Sequence, residues 1–386
     1  MRRALAAAVW VGWVAAAMAA ADQPAGRPRA REAGAVTGVL DPGPLDSITD
    51  VAGVRVGHAT VIEGDELRTG VTVVLPHGGN IFAEPVPAAV FVVNGFGKLT
   101  GVTQIDELGL LETPIALTGT LSTWRVADAL AEWVLEQPGN EAALSVNSVV
   151  GECSDGYLSD ARRRPVGREQ VRAALAGAAP GPVAEGCVGG GTGTRCLGFK
   201  GGIGTASRRL PPRLGGWTVG VLVQTNFGGE LTIAGVPVGR ALGELPFGLR
   251  PGAGEDGSCM IVVATDAPVD SRQLGRLARR TPMGLARVGS FGSHGSGDYA
   301  IAFTANPGCR LRRDASGMHR AELLRDEDLS PLLLAVVEAT EEAVLNSVFA
   351  ATTTRGRDGR EVKALPVERV RALLAERGVL AKSPAE

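Results

Sequence analysis

The sequence predicts an α+β fold in which sheets and helices pack as layers, and two observations carry that reading. Short apolar, β-branched runs bounded by Gly, Pro or Asn recur along the chain, and stretches of helical periodicity fall among them without a strict strand-helix-strand alternation. A doubly wound parallel sheet would need that alternation. The 386 residues can bury a substantial core, and the 54 glycines, scattered among apolar runs and never in a collagen-like period, mark a globular chain rich in tight turns.

Taken from the N-terminus, Arg2 and Arg3 precede an apolar stretch from Ala4 to about Ala17 and a small-residue run ending at Ala21. That pattern reads as a signal peptide, residues 1–21, because a retained anchor needs about twenty strongly apolar residues. Residues 22–44, rich in Ala, Gly, Pro and Arg with no periodic apolar face, read as a disordered leader. Residues 45–386 read as one domain. Within it, strands are predicted at 70–75, 88–93, 217–224, 260–265 and 299–304. Helices are predicted at about 122–136, with Ser122 as cap and Pro138 as stop, at 168–177, 270–280, 330–351, with Pro331 in its first turn, and 366–378.

Charge and cysteine usage narrow the function classes. A formal net charge of -2, from 39 basic and 41 acidic residues without a basic stripe, argues against a nucleic-acid partner. The five cysteines, in a chain expected to reach an oxidising compartment, leave at least one unpaired, and a Cys187–Cys196 bridge stays open. No CxxC pair occurs and the four histidines are far apart, so no metal or other cofactor is expected.

The chemistry points to Gly254-Glu-Asp-Gly257-Ser258-Cys-Met-Ile-Val-Val-Ala264, a polar glycine loop running straight into a strand that begins with a hydroxyl. Glycine tolerates the backbone angles that let the next residue's hydroxyl attack the preceding carbonyl, so the Gly257–Ser258 bond is suited to self-cleavage by an N-to-O acyl shift. Hydrolysis of that ester would give Ser258 a free α-amine. Such an amine titrates at about 7.7 to 8.0 and can act as the base for its own hydroxyl. Downstream, Gly289-Ser-Phe-Gly-Ser-His-Gly-Ser296-Gly-Asp298 leads into another strand, with a hydroxyl and a carboxylate two residues apart on one face, fit to hold that amine.

Three competing readings are weaker. A Ser-His-Asp triad would have to recruit a histidine such as His294, and no G-x-S-x-G elbow occurs. The run Gly189–Thr194 lacks the Lys-Ser/Thr ending of a phosphate loop and reads as a packing feature. Strand alternation turns Cys259 away from Ser258, which makes it a core residue rather than the nucleophile.

The chain resembles the DmpA-like aminopeptidases, which include the β-aminopeptidases, from about Asp46 to about Leu374. The matching stretches are Asn94-Gly-Phe-Gly-Lys-Leu-Thr-Gly101, Glu112-Thr-Pro-Ile-Ala-Leu-Thr118, Val149-Val-Gly-Glu-Cys-Ser-Asp-Gly-Tyr157, Glu185-Gly-Cys-Val-Gly-Gly-Gly-Thr-Gly-Thr194, Lys200-Gly-Gly-Ile-Gly204, Val223-Gln-Thr-Asn-Phe-Gly228, Gly235-Val-Pro-Val-Gly239 and Thr281-Pro-Met-Gly-Leu-Ala286. The resemblance implies a four-layer αββα sandwich, also shared by ornithine acetyltransferase, cut before its nucleophile into two chains that stay together in a homotetramer. It implies Ser258 as nucleophile, Asn226 as oxyanion donor, Ser296 and Asp298 as the pair that orients the amine, and Glu152 as counter-charge for the substrate's ammonium.

Substrates would then be small peptides, amino-acid amides or esters, met in the periplasm or outside the cell. Two departures from the family pattern stand out. Asp298 replaces a commoner, longer glutamate, and Cys153 and Ser154 replace a threonine and an aromatic residue, which predicts a roomier pocket wall. An acyltransferase of the ornithine acetyltransferase type is the alternative enzyme, disfavoured because that class uses threonine at the junction. An unprocessed, non-catalytic binding protein is the third reading.

Overall fold

The computed structural model describes residues 27–246 and 257–381. The signal-peptide reading of residues 1–21 lies outside the described residues. In chain order the elements are β1 (Arg55–Glu63), β2 (Leu67–Leu75), β3 (Val86–Gly95), α1 (Val102–Leu108), β4 (Leu110–Leu111), β5 (Ile115–Gly119), α2 (Thr123–Leu135), β6 (Val149–Cys153) and α3 (Arg168–Ala176). The short β7 (Arg195–Cys196) and β8 (Phe199–Lys200) precede β9 (Ile203–Arg209), β10 (Thr218–Asn226) and α4 (Val238–Leu242). Then come β11 (Ser258–Thr265), α5 (Ser271–Ala278), α6 (Thr281–Arg287), β12 (Gly297–Thr304), α7 (Ser330–Phe349), β13 (Thr354–Arg355), β14 (Glu361–Val362) and α8 (Val367–Glu376).

Two sheets face each other. One is four-stranded in the order β1-β2-β5-β6, and the other six-stranded in the order β4-β3-β12-β11-β10-β9. Pairing is antiparallel except for β5 with β6 and β11 with β12. The apolar clusters show the layering directly. Ile115, Leu117 and Val149 of the smaller sheet pack against Leu222, Met260, Val262, Ile301 and Phe303 of the larger. On the outer face of the smaller sheet, Val71, Val73 and Val150 meet Val126 and Leu130 of α2 and Val171 of α3. On the outer face of the larger one, Val221, Ile261 and Val263 meet Leu274 and Leu277 of α5, Ala339 and Ala343 of α7, and Val370 of α8. Helix, sheet, sheet and helix therefore stack as the αββα sandwich that the resemblance implies, each layer burying the apolar face of the next.

The predicted strands and helices all appear, with ends shifted by a few residues. Pro331 does sit in the first turn of α7. Ser122 precedes α2 but makes no capping bond, because it lies in a 3-10 turn and Thr123 Oγ1 donates to the Thr120 carbonyl instead, at 2.9 Å.

The reading of residues 22–44 as a disordered leader fails from Arg27 onward. Ala30, Ala33 and Ala35 are fully buried, and the Ala30 amide donates to Asn346 Oδ1 of α7 at 3.0 Å. Arg29 bridges Glu185 at 2.7 Å and Arg31 bridges Glu342 at 2.7 Å. Alanines small enough to lie flat on α7, and arginines that neutralise buried carboxylates, fix the segment without any periodic pattern of their own.

Candidate active site

Ser258 is the first residue of β11, the strand between β10 and β12 in the larger sheet. Register places it opposite Asn226, the last residue of β10, and opposite Gly297, the first residue of β12. The three positions thus meet at one end of the sheet, where ladder geometry fixes their spacing. The preceding carbonyl, Gly257 O, accepts the Gly297 amide at 3.2 Å. A Cβ on Gly257 would lie 2.8 Å from Phe227 Cα and 2.9 Å from Asn226 O, so the backbone at 257 can approach the end of β10 this closely only because it has no side chain.

The Ser258 hydroxyl is buried and has no hydrogen-bond partner among the described residues. Asn226 turns its Oδ1 to the Arg195 amide, 3.2 Å away, which assigns the opposite end of the side chain as the N–H donor. Ser296 Oγ donates to Asp298 Oδ1 at 2.7 Å, while the buried Asp298 Oδ2 has no partner among the described residues. Burial raises the Asp298 pKa, opposed by the Ser296 hydroxyl and a backbone contact at Cys259. The loop before β12 is tied down by Asn94 Nδ2, which donates to the carbonyls of Ser293 at 3.1 Å, His294 at 3.2 Å, and Ser296.

Glu152 comes from β6 of the other sheet and is nearly fully buried. Its Oε1 accepts the Lys98 amide at 3.1 Å and Lys98 Nζ at 3.2 Å, and Nζ also donates to Thr120 Oγ1 at 3.0 Å. Gly97 joins this carboxylate to the Ser258 end of the sheet: a Cβ there would lie 3.4 Å from Glu152 Oε1 and 3.0 Å from Gly297 Cα. All five predicted site residues therefore gather at one end of the two sheets.

One expectation is corrected. Cys153 does not widen a pocket wall, because its thiol is fully buried and donates inward to the Gln224 carbonyl at 3.3 Å. Burial drives that thiol well above its ordinary pKa. Cys259 likewise lies in the core beneath α5 and α7, and all five cysteines are free thiols. The Gly189–Thr194 run begins with a 3-10 turn, Gly189–Gly191, packed under β5: Gln224 Nε2 donates to Gly190 O at 2.7 Å, and a Cβ on Gly190 would strike the Leu117 carbonyl at 2.6 Å. Lys98 was not singled out from the sequence, although it stands inside the Asn94–Gly101 motif beside the glycine that approaches Glu152. Among the described residues no three His, Cys, Asp or Glu side chains are grouped to hold a metal, and no helix is long and apolar enough to cross a membrane.

A serine heading an inner strand of a two-sheet sandwich, with helices on both outer faces, defines a hydrolase of the N-terminal-nucleophile fold class. The chain belongs to peptidase family S58, whose pattern matches residues 46–362. Beta-peptidyl aminopeptidase BapA of Sphingosinicella microcystinivorans is 40% identical over 392 residues, covering 95% of this chain and 96% of the relative. Among solved structures, a Burkholderia sp. beta-aminopeptidase is 40% identical with a TM-score of 0.82, covering 92% of this chain and 100% of that one. The L-aminopeptidase D-Ala-esterase/amidase of Ochrobactrum anthropi, described as a prototype of the serine aminopeptidases and a variant of the Ntn hydrolase fold, is 38% identical. Its TM-score is 0.85, and it covers 92% of this chain and 100% of its own.

Proposed function

We propose that this hydrolase is a self-processing serine aminopeptidase that releases an N-terminal residue from small peptides and amino-acid amides or esters, with β-aminoacyl groups as its main substrates. The observation that carries the reading is the meeting of Ser258, Asn226 and Gly297 at one sheet end, with the Gly257 carbonyl held by the Gly297 amide at 3.2 Å. Full-length similarity to β-peptidyl aminopeptidases supports the substrate class.

Maturation begins when Ser258 Oγ attacks the Gly257 carbonyl carbon and its proton passes to the departing amide nitrogen. The Gly297 N–H steadies the oxygen. Water then hydrolyses the ester, leaving a carboxylate on Gly257 and an amine on Ser258. The buried Asp298 Oδ2 suits that amine, because an unpaired carboxylate oxygen in a closed site gains most from a cationic or N–H partner.

In turnover the Ser258 amine takes the hydroxyl proton as Oγ attacks the substrate carbonyl. Asn226 Nδ2 stabilises the oxyanion, the amine returns the proton to the leaving group, and water resolves the acyl-enzyme. Glu152 receives the substrate ammonium, and Ser296 holds Asp298 in place. The basic and apolar N-terminal segment supports export to the periplasm or beyond, while assembly as a homotetramer rests on the family resemblance alone.

The test is intact-mass measurement and N-terminal sequencing of the purified protein, wild type and Ser258→Ala. The wild type yields a fragment beginning Ser258-Cys-Met-Ile and turns over aminoacyl amides, whereas the variant stays uncut and inactive. A Ser258→Ala chain that still matured at this bond would overturn the scheme.

A further inference from the structure

The Glu152 carboxylate already has a cationic partner within the protein. Lys98 places both its amide and its ammonium on Oε1, at 3.1 and 3.2 Å, and the same ammonium reaches Thr120 Oγ1 at 3.0 Å. Glu152 is nearly enclosed, while the Lys98 side chain is 41% exposed. A substrate bringing only an ammonium must share a carboxylate that is neutralised in advance, and it pushes a second cation against Lys98. Like charges in a partly closed site oppose each other.

The arrangement suits a substrate head that carries both charges. We infer that Lys98 and Thr120 form a carboxylate subsite beside the ammonium site of Glu152, and that the preferred acyl group is one whose amine carbon also bears a carboxylate, as in β-aspartyl amides and peptides. The substrate ammonium meets Glu152 Oε2, which is not engaged by Lys98, and the geminal carboxylate takes the Lys98 ammonium and the Thr120 hydroxyl. Two opposed ion pairs then lie side by side, so no charge of either sign is left alone in the site. In a β-aspartyl group the amine carbon stands one methylene from the reacting carbonyl, the spacing of any β-aminoacyl group. The inference rests on the aminopeptidase reading above and adds the substituent that the site selects. Lys98 is thus a specificity-determining residue, and the chemistry at Ser258 is unchanged.

The test compares β-aspartyl p-nitroanilide with β-alanyl p-nitroanilide, which lacks only the carboxylate, on the matured full chain. In the wild type, kcat/KM for the β-aspartyl substrate should exceed that for the β-alanyl one by about tenfold or more, chiefly through KM. In Lys98→Met that ratio should fall by about tenfold, with KM for the β-alanyl substrate decreasing as Glu152 loses its internal competitor. Lys98→Arg should keep the preference. A wild-type ratio at or below unity, or a ratio unmoved in Lys98→Met, overturns the subsite while leaving the aminopeptidase standing. If a correctly cut chain turns over neither substrate nor any other aminoacyl nitroanilide, the aminopeptidase reading fails and the subsite with it.

Discussion

Asn226 and Ser258 are direct cross-strand partners, the last residue of β10 facing the first of β11. Neither side chain has to be carried in by a flexible loop, because the antiparallel ladder fixes the distance between them. The Asn226 oxygen is occupied by the Arg195 amide, so its N–H end is the one available to a developing oxyanion. Asn226→Ala should lower kcat by about a hundredfold to a thousandfold, equivalent to about 3 kcal/mol, with little change in KM. Asn226→Asp keeps an acceptor for Arg195 but loses the donor, and should be at least as impaired. Steady-state kinetics on an aminoacyl nitroanilide would decide. An active Asn226→Asp would show that the oxygen, and not the N–H, matters.

At the same strand end, Gly257 touches the backbone of Phe227 and Asn226 so closely that an added Cβ would sit 2.8 Å from one atom and 2.9 Å from another. Those neighbours are main-chain atoms at the end of β10 and just beyond it, where the Phe227 carbonyl accepts the Leu197 amide at 2.8 Å, and they cannot swing aside as a side chain could. Gly257→Ala should therefore displace the Gly257 carbonyl and slow the proposed self-cleavage by about tenfold or more, as expected when a reacting geometry shifts by a fraction of an ångström. A time course of the two fragments on a denaturing gel reads this directly. Maturation of Gly257→Ala at the wild-type rate would mean that the close approach has no part in cleavage.

Asp155, just beyond Glu152, is fully buried with Oδ1 unpartnered, and burial raises its pKa to about 6, moderated by Thr69. The folded value lies above the ordinary 3.8, so the group's contribution to stability is fully present below pH 3.8 and is lost as pH rises through about 6. Asp155→Asn removes this titration. Relative to wild type the variant should gain stability between pH 4 and pH 6.5, by up to about 3 kcal/mol, and the difference should be level above that. Urea unfolding at several pH values measures it. A difference independent of pH would place the Asp155 pKa near its unfolded value.

How much of this was legible in the sequence depends on whether the signal is local. Ser258, Ser296 and Asp298 stand beside glycine loops that feed apolar strands, and that pattern alone marked them. The strand Ile203–Arg209 was missed because Gly-Thr-Ala-Ser-Arg-Arg reads as a polar connector. It is an edge strand buried beneath α7, where a Cβ on Gly204 would lie 2.0 Å from the Ala343 carbonyl and Arg208 is fully enclosed. Likewise β6 is short, and β5 is followed directly by a helix, so neither shows alternation. The Lys98–Glu152 pair joins the connection after β3 to a residue of β6, and Cys153 turns inward by the pleat of β6. Relations of that kind are fixed by register and sheet packing, which one-dimensional spacing does not encode.

Arg208 shows how strongly such long-range pairing acts. Its side chain is fully buried, with Nε 3.1 Å from Glu338 Oε2, Nη2 2.6 Å from Glu342 Oε2 and 3.0 Å from the Thr37 carbonyl. Arg31 joins Glu342 from the segment that composition alone had marked as disordered. Burial would raise the Glu342 pKa, but Arg208 and Arg31 outweigh it and hold the carboxyl below its ordinary value. Arg208→Met would leave buried carboxylates short of a counter-charge and should destabilise the fold by about 3 to 5 kcal/mol at neutral pH. Because the Glu342 pKa is depressed in the fold, the stability it supplies is present above pH 4.5 and fades on acidification. The deficit of Arg208→Met should accordingly shrink as pH falls below that point. Denaturant melts of both proteins at pH 7 and pH 4 test it, and a loss under about 1 kcal/mol at pH 7 would show that the carboxylates protonate or reach water at little cost.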